Sequence, residues 1–167
     1  MNVKEWKSMP RGMRNNNPLN IRRGKSKWVG ETNCIRVVDN SGEMEQELKY
    51  YDRTFCQFAL LSQGFRAAFI LLKKYIVKYD LTTIEEIIRR WAPENENNTK
   101  HYIDMVATRA LIGRKDKLDF YDKMQMVNIV NAMVMVECGA KWEPLADDAR
   151  LKAMSDGYEL AKDYPLC

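Results

Sequence analysis

The sequence predicts a mainly α-helical domain with a small antiparallel β element, an α+β class, and three observations support this prediction. After residue 58, apolar residues recur at three- and four-residue steps over long segments, as in amphipathic helices. Short β-prone pieces separated by turn residues occupy positions 27–58. A length of 167 residues, with 46% hydrophobic and 30% charged residues, fits one globular domain, which we place at 1–167.

The first third of the chain is predicted to lack long helices. Residues 10–26 are rich in Asn, Gly, Pro and Arg, a composition that indicates an irregular, polar but ordered loop. Residues 27–31, 34–39 and 47–52 are β-prone, and Asn40-Ser41-Gly42 predicts a turn between two of these pieces. We therefore expect a small antiparallel ribbon.

Helices are predicted for most of the remainder. The apolar spacing from Phe58 to Tyr79 predicts an amphipathic helix. Thr82 followed by Glu85 predicts a capping box at the start of a second helix. Asn97 or Asn98 can cap a third.

The last two helices are expected to differ in burial. Gly113 helps to end the third helix, and Asp119 is the predicted cap of the fourth. The fourth helix, MQMVNIVNAMVMVECG, is apolar nearly all round, so we expect it to be the buried central helix. A shorter, more polar helix is predicted around residues 147–162.

Charge and hydropathy exclude several classes of protein. The net charge of +4 favours an anionic partner. The 27 Lys and Arg residues form no stripe like that of a recognition helix, so we do not expect a nucleic acid partner. Apolar runs fall far short of the roughly 20 residues that span a bilayer, so no membrane insertion is expected. The basic N-terminus carries no secretory apolar region, which predicts synthesis in the cytoplasm without a signal peptide.

Metal and cofactor sites are not expected. The cysteines show no C-x-x-C spacing, and His101 is the only histidine in the sequence, so a zinc site is not predicted. Reduced thiols are the simplest interpretation, although a disulfide stays open at this stage. The cysteines concerned are Cys34, Cys56, Cys138 and Cys167.

Glu137 is the predicted catalytic acid. It ends an apolar helix, where the negative end of the helix dipole and partial burial both raise the pKa of a carboxyl group. A carboxylic acid that keeps its proton near neutral pH suits cleavage of a glycosidic bond. The alternative is a helix end whose polar residue precedes Gly139 for capping reasons alone.

The loop Arg14–Arg22 predicts a sugar-binding surface. Asn15, Asn16, Asn17 and Asn20 place four amides within six residues, close to Arg22. Each amide can donate to one hydroxyl or N-acetyl group and accept from another. The alternative is a structural loop, since Asn tolerates turn geometry and left-handed backbone.

Aromatic residues at segment ends are predicted to stack on sugar faces. The alternative for them is a position at the edge of the core. Glu96, in a polar cluster after the second helix, is the candidate for a supporting carboxylate, and helix capping is its alternative role. The aromatic residues are Trp28, Trp91, Tyr102 and Trp142.

These segments together resemble a family of phage-borne and bacterial peptidoglycan-degrading proteins that carries R-N-N-N-P-x-N-I-R near its start. The late Glu137-Cys138-Gly139 resembles the E-x-G of lysozyme-like lytic transglycosylases and glucosaminidases. The chain departs from these patterns at Leu19, where Gly is usual, and at Cys138, where a small polar residue is usual. The matching positions cover most of residues 11–110 and include Phe55, Phe58, Gly64–Ala67, Arg90–Pro93, Glu96, Asn97, Thr99 and Tyr102.

The resemblance implies a lysozyme-like domain that is circularly permuted, because the acid-bearing helix follows the β element here and precedes it in that superfamily. It implies cleavage of glycan strands as a lytic transglycosylase with Glu137 as acid and base. A muramidase is the near alternative and would need a second acid, for which Glu31, Asp52 and Glu96 are candidates. An inactive glycan-binding or virion structural module is the alternative from another class.

The resemblance also implies the partner and the place of action. Peptidoglycan strands are the expected substrate, in the periplasm, after release, injection or delivery on a virion. An inhibitor protein or a phage particle is an expected further partner. Whether the chain is a phage lysis protein, a virion component or an injected antibacterial toxin stays open at this stage.

Overall fold

The computed structural model describes residues 2–39 and 46–167. The strands are β1 (Glu31–Thr32), β2 (Ile35–Asp39), β3 (Gln46–Tyr50) and β4 (Gln57–Phe58). The α-helices are α1 (Val3–Ser8), α2 (Arg11–Arg14), α3 (Leu61–Lys73), α4 (Ile84–Trp91), α5 (Thr99–Ala110), α6 (Lys123–Cys138) and α7 (Asp148–Lys162). A π-helical turn (Lys74–Lys78) extends α3, and two 3₁₀ turns (Ala140–Trp142 and Pro144–Ala146) join α6 to α7.

The mainly α class with a small antiparallel β element is confirmed. Strands β2 and β3 pair with Ile35 opposite Tyr50, and β1 and β4 pair with Glu31 opposite Phe58. Both pairs are antiparallel and separate from each other. The predicted turn Asn40-Ser41-Gly42 lies outside the described residues.

Helix α6 is buried as predicted and organises the core. Its side chains from Met126 to Val134 are almost all buried, apart from Asn128. It packs against α5 and α7, while α3 lies along α7 over most of its length. A helix without a polar face is expected to be buried by its neighbours, and almost all residues from Met126 to Val134 of α6 are buried in this way.

The observed helix ends correct two predicted caps. Helix α4 is capped by Thr83 with Glu86, one residue later than the predicted pair Thr82 and Glu85. Helix α6 is capped by Asp122 instead of Asp119, whose carboxylate accepts a hydrogen bond from the Tyr121 N–H. Neighbouring Thr and Asp residues have the same capping chemistry, so tertiary packing decides between them.

The predicted bounds of the third helix and of the 10–26 loop differ less from the structure. Asn98, one of the two predicted caps, accepts from the His101 N–H and begins α5. Helix α5 ends at Ala110, and its C-cap Leu111 has a left-handed φ of 56°, two residues before Gly113. The predicted loop 10–26 contains the short helix α2 and is irregular in the remainder.

Membrane-spanning helices and disulfides are both absent from the described part of the chain. No helix there combines the length and the apolar character needed to cross a bilayer. All four cysteines are free thiols, in agreement with the simpler of the two sequence interpretations.

Candidate active site

A polar cavity of about 260 Å³ lies at the C-terminal end of α6. It brings together the predicted acid, part of the Asn-rich loop and the connection between α4 and α5. The residues that line it are Arg11, Leu19, Asn20, Arg22, Phe55, Trp91, Ala92, Glu96, Asn97 and Glu137.

Both carboxyl oxygens of Glu137 are held by side chains from distant segments. The Asn20 amide Nδ2 donates to Oε2 at 3.0 Å, across 117 positions of the chain. The Tyr102 hydroxyl of α5 donates to Oε1 at 3.0 Å. The indole N–H of Trp91 is a further donor to this carboxyl group. The acid is therefore fixed in orientation within the cavity.

The pKa of Glu137 is raised, in the direction that the sequence predicts. Burial is the main cause, because it removes water from the charged form, while the hydrogen bonds from Asn20, Tyr102 and Trp91 lower the pKa by a smaller amount. The position of Glu137 as the second-last residue of α6 acts in the same direction as burial, since the negative end of the helix disfavours an anion.

Tyr102 contacts the acid instead of offering its ring to a ligand. It is 6% exposed, and its hydroxyl points at Glu137. Burial, and then the neighbouring Glu137, raise the pKa of Tyr102 well above its ordinary value, so the hydroxyl keeps its proton and acts as a donor. The predicted stacking of Tyr102 on a sugar is therefore corrected to a contact with Glu137, because the buried ring has no free face.

Two of the predicted amides build the loop and do not face the cavity. Asn15 and Asn17 are completely buried. Asn17 Nδ2 donates to the carbonyls of Ile21 and Cys56, and its Oδ1 accepts from the Ile21 N–H, all at 2.9 Å. Asn15 Nδ2 donates to the Asp52 carboxylate at 2.9 Å. Their predicted contact with a ligand is therefore corrected to a structural role, because burial leaves no face for a sugar.

Asn16 and Asn20 show why this loop uses asparagine. Their φ values of 50° and 51° are left-handed, a region that Asn enters at lower cost than most residues. Asn16 Nδ2 donates to the Phe58 carbonyl and lies away from the cavity. A Cβ atom at Gly64 of α3 would stand 1.8 Å from the Asn16 carbonyl oxygen, so only glycine lets the loop pack this closely. This close packing fixes the position of the loop, and Asn20 then lies within hydrogen-bond distance of Glu137.

The end of α6 is pinned to the same loop by Cys138. Its Sγ donates to the Pro18 carbonyl at 3.4 Å. A Cβ atom at Gly12 would lie 2.8 Å from this sulfur, so α2 also approaches closely. Burial, followed by the charge of Glu137, raises the pKa of the Cys138 thiol to about 12. Cys138 is therefore a packing residue and not a thiolate nucleophile.

Of the three candidates for a second acid, Glu96 alone lines the cavity. Glu31 is paired with Arg23 at 2.7 Å, and its side chain is 3% exposed. Burial alone would raise the pKa of Asp52, but hydrogen bonds from the Phe55 and Thr54 N–H groups and from Asn15, together with the charge of Arg11, lower it overall. Glu31 and Asp52 therefore hold the fold, which corrects their candidacy.

The remaining predicted residues divide between the cavity and the rest of the surface. Trp91 and Arg22 line the cavity. Trp28 and Trp142 pack partly buried against the core elsewhere. The described residues contain no cluster of His, Cys, Asp and Glu that could hold a metal ion.

Two arginines share one aromatic ring at the cavity. The guanidinium Cζ atoms of Arg11 and Arg22 lie 4.7 and 5.3 Å from the centroid of the Phe55 ring. Phe55 belongs to the positions that carry the family resemblance, but no local sequence pattern joins three residues so far apart in the chain. The shared contact of Arg11 and Arg22 with the Phe55 ring is therefore a finding of the structure.

Comparison with known proteins relates the chain to a phage protein. No family model matches the sequence. Protein P5 of Pseudoalteromonas phage PM2 is 41% identical over 133 residues, which cover 78% of this chain and 72% of the phage protein. Its name describes no activity or ligand, so the resemblance to peptidoglycan-degrading proteins stays a prediction. Identity at this level over most of both sequences shows common descent, and the chain belongs to the family of Protein P5 of phage PM2.

Proposed function

We propose that the chain cleaves the glycan strands of bacterial peptidoglycan, with Glu137 as the acid that protonates the glycosidic oxygen. The observation that supports this most strongly is the environment of Glu137. Burial raises its pKa, and Asn20 and Tyr102 hold both of its oxygens beside an open polar cavity. A carboxyl group that keeps its proton at higher pH than usual is what a leaving sugar oxygen requires.

Lytic transglycosylase chemistry needs one such residue and no protein nucleophile. Glu137 first donates its proton to the oxygen of the glycosidic bond after N-acetylmuramic acid, and that bond breaks. The resulting carboxylate then takes the proton of the 6-hydroxyl of the same sugar. That hydroxyl oxygen attacks the anomeric carbon and closes an anhydro ring, which leaves Glu137 protonated again.

The place of the Asn-rich loop supports a circularly permuted lysozyme-like arrangement. In that arrangement the acid-bearing helix and the loop meet in space although the loop comes first in the chain. The hydrogen bond from Asn20 to Glu137 is the contact that such an arrangement requires. Action at the cell wall then depends on release, injection or delivery on a virion.

A muramidase is the second candidate, because Glu96 lines the same cavity as Glu137. An inverting hydrolase uses a second carboxylate as a base that activates water, with its carboxyl groups about 6.5–9.5 Å apart. Glu96 is exposed and comes from the α4–α5 connection, a segment that can approach a bound sugar.

Three single substitutions test the proposal and separate the two chemistries. Glu137→Gln keeps the shape and removes the transferable proton, so we expect a loss of about 10²–10⁴-fold in release of soluble fragments from purified peptidoglycan. Glu96→Gln should cause a loss of similar size in a muramidase and a much smaller one in a transglycosylase. Glu94→Gln, an exposed neighbour outside the cavity, is the matched control.

Wild-type turnover by the folded Glu137→Gln variant would exclude Glu137 as the acid. If the wild-type protein binds peptidoglycan but releases nothing, the chain is an inactive glycan-binding or virion module. Melting curves of all three variants establish that the comparison concerns folded proteins.

A further inference from the structure

Two guanidinium groups share one aromatic ring beside the proposed acid. Arg11 and Arg22 each place their Cζ atom within 5.3 Å of the centroid of the Phe55 ring, and all three side chains line the cavity of Glu137. Cation–π contact holds each guanidinium against the ring. Two like charges on one ring also repel each other, so the arrangement favours an anion near them.

The carboxylates of the protein neutralise this pair only in part. Arg11 Nε lies 3.9 Å from Asp52 Oδ2, a long ion pair, and Asp52 already accepts hydrogen bonds from Asn15 and from two backbone N–H groups. Arg22 is exposed and forms no ion pair with any residue that the structure describes. The nearby Glu96 pairs with neither arginine within the same described ranges.

We infer that Arg11, Arg22 and Phe55 form a carboxylate-binding subsite that takes an acidic group on the peptide side of the glycan substrate. This inference rests on the proposed function, because it assumes that a glycan strand occupies the cavity. Guanidinium groups match carboxylates in shape and charge, and they bind them through paired hydrogen bonds. Peptidoglycan offers such groups on its stem peptides and, where an amidase has removed the peptide, on the lactyl group of the muramic acid.

The subsite makes the enzyme selective for charged glycan strands. A neutral strand would leave both guanidinium groups without an anion and would gain nothing from them. Amidase treatment distinguishes the two possible sources of the carboxylate. If the stem peptide supplies it, amidase-treated strands should behave like neutral strands. If the lactyl group supplies it, amidase-treated strands should bind more tightly than intact strands, because the lactyl carboxylate is free only after the amidase has removed the peptide.

The test compares three substrates with four proteins. The substrates are intact glycan strands, amidase-treated strands, and intact strands whose amines are acetylated and whose carboxylates are then coupled to methylamine. The proteins are the wild type, Arg22→Gln, Arg22→Lys and the control Arg53→Gln, which removes the same charge from an exposed position outside the cavity. Kcat/KM is measured on each substrate, and binding is measured by calorimetry in the Glu137→Gln background.

We expect Arg22→Gln to lose about tenfold in kcat/KM and in affinity on intact strands, the change that about 1.4 kcal/mol produces. The loss on methylamine-coupled strands should be several-fold smaller, and Arg22→Lys should recover part of the affinity. Equal losses on charged and neutral strands, or an equal loss in Arg53→Gln, would overturn the subsite. Because binding needs no turnover, a protein that binds charged strands selectively but cleaves nothing would refute the proposed function and retain the subsite.

Discussion

Replacing Tyr102 with Phe removes one hydroxyl group from the surroundings of Glu137 and leaves the buried ring in place. The lost bond is the 3.0 Å donation from the Tyr102 hydroxyl to Glu137 Oε1. This bond favours the charged form of the acid, so it lowers the pKa of Glu137 against the larger effect of burial. The variant should therefore hold its proton on Glu137 to higher pH than the wild type does.

The size of this change follows from the strength of one hydrogen bond to a charged group. Such bonds contribute about 1.5–3 kcal/mol, and 1.36 kcal/mol corresponds to one pH unit. Asn20 and Trp91 still donate to the carboxylate in the variant and compensate in part. We therefore expect the alkaline limb of the kcat/KM profile, where the acid loses its proton, to move up by about one pH unit.

Two measurements check this prediction, and one of them is independent of turnover. The pH dependence of kcat/KM gives the alkaline limb directly. Carbon-13 NMR of proteins labelled at the glutamate carboxyl groups follows the titration of Glu137, which the Glu137→Gln variant identifies. Tyr158→Phe is the matched control, because it removes a buried hydroxyl that donates to the Phe120 carbonyl at 3.0 Å, away from the cavity.

The control should lose stability without any change in the pH profile. A Tyr102→Phe variant whose Glu137 titrates at the same pH as in the wild type would refute the account of how the site tunes its acid. An equal shift in the pKa of Glu137 in Tyr158→Phe would also refute it, because the shift would then come from general loosening of the core.

Three further predictions concern stability and charge. The unfolding free energy should fall as pH rises above about 4.3, the ordinary glutamate pKa, because the folded state keeps a proton on Glu137 that the unfolded state loses. Urea titrations at several pH values should show this fall in the wild type and its absence in Glu137→Gln. Asn17→Ala should cost about 2–4 kcal/mol in the same urea titrations, since it leaves the buried Ile21 N–H and Cys56 carbonyl without partners. A loss below 1 kcal/mol would contradict the structural role. Raising salt from 0.15 to 1 M should weaken binding of charged wall fragments, measured by sedimentation, far more than binding of neutral oligosaccharides, as the screening length falls from about 8 to 3 Å.

That salt prediction depends on Arg22 and not on its neighbour in sequence. Arg23 donates to the buried Glu31 at 2.7 Å and to the Asp52 carbonyl at 2.8 Å. Its replacement would therefore disturb the loop, whereas Arg22 is exposed and can be changed alone. The two adjacent arginines look equivalent in the sequence and differ because of tertiary contacts.

The elements that the sequence predicted well are those with a strong local signal. Helix α6 could be identified as buried because its apolar residues lie on all sides and leave no continuous polar face. The cap of α4 was one residue away from the predicted position because Thr82 and Thr83 both carry the required hydroxyl. Helix α2 was missed because four residues are too few to show a periodic pattern.

The candidate site could be predicted only where the local sequence around a residue determines its environment. The position of Glu137 at the end of an apolar helix was enough to predict the direction of its pKa shift. The role of Asn17 was not, since the same amide can bind a sugar or the backbone, and only its burial distinguishes the two. The contact of Arg11 and Arg22 with Phe55 could not be predicted from a periodic pattern, because it depends on three segments that meet only in the folded structure.

The most direct test of the central claim is the mass of the sugars that the wild-type protein releases from purified peptidoglycan. Transglycosylase chemistry by Glu137 predicts muropeptides that end in 1,6-anhydro-N-acetylmuramic acid, each one water lighter than its hydrolysed counterpart, and no such products from Glu137→Gln. Products that end in reducing sugars would replace this mechanism with that of a muramidase. The absence of any released glycan from folded protein would contradict the proposal that the chain is a glycan-cleaving enzyme.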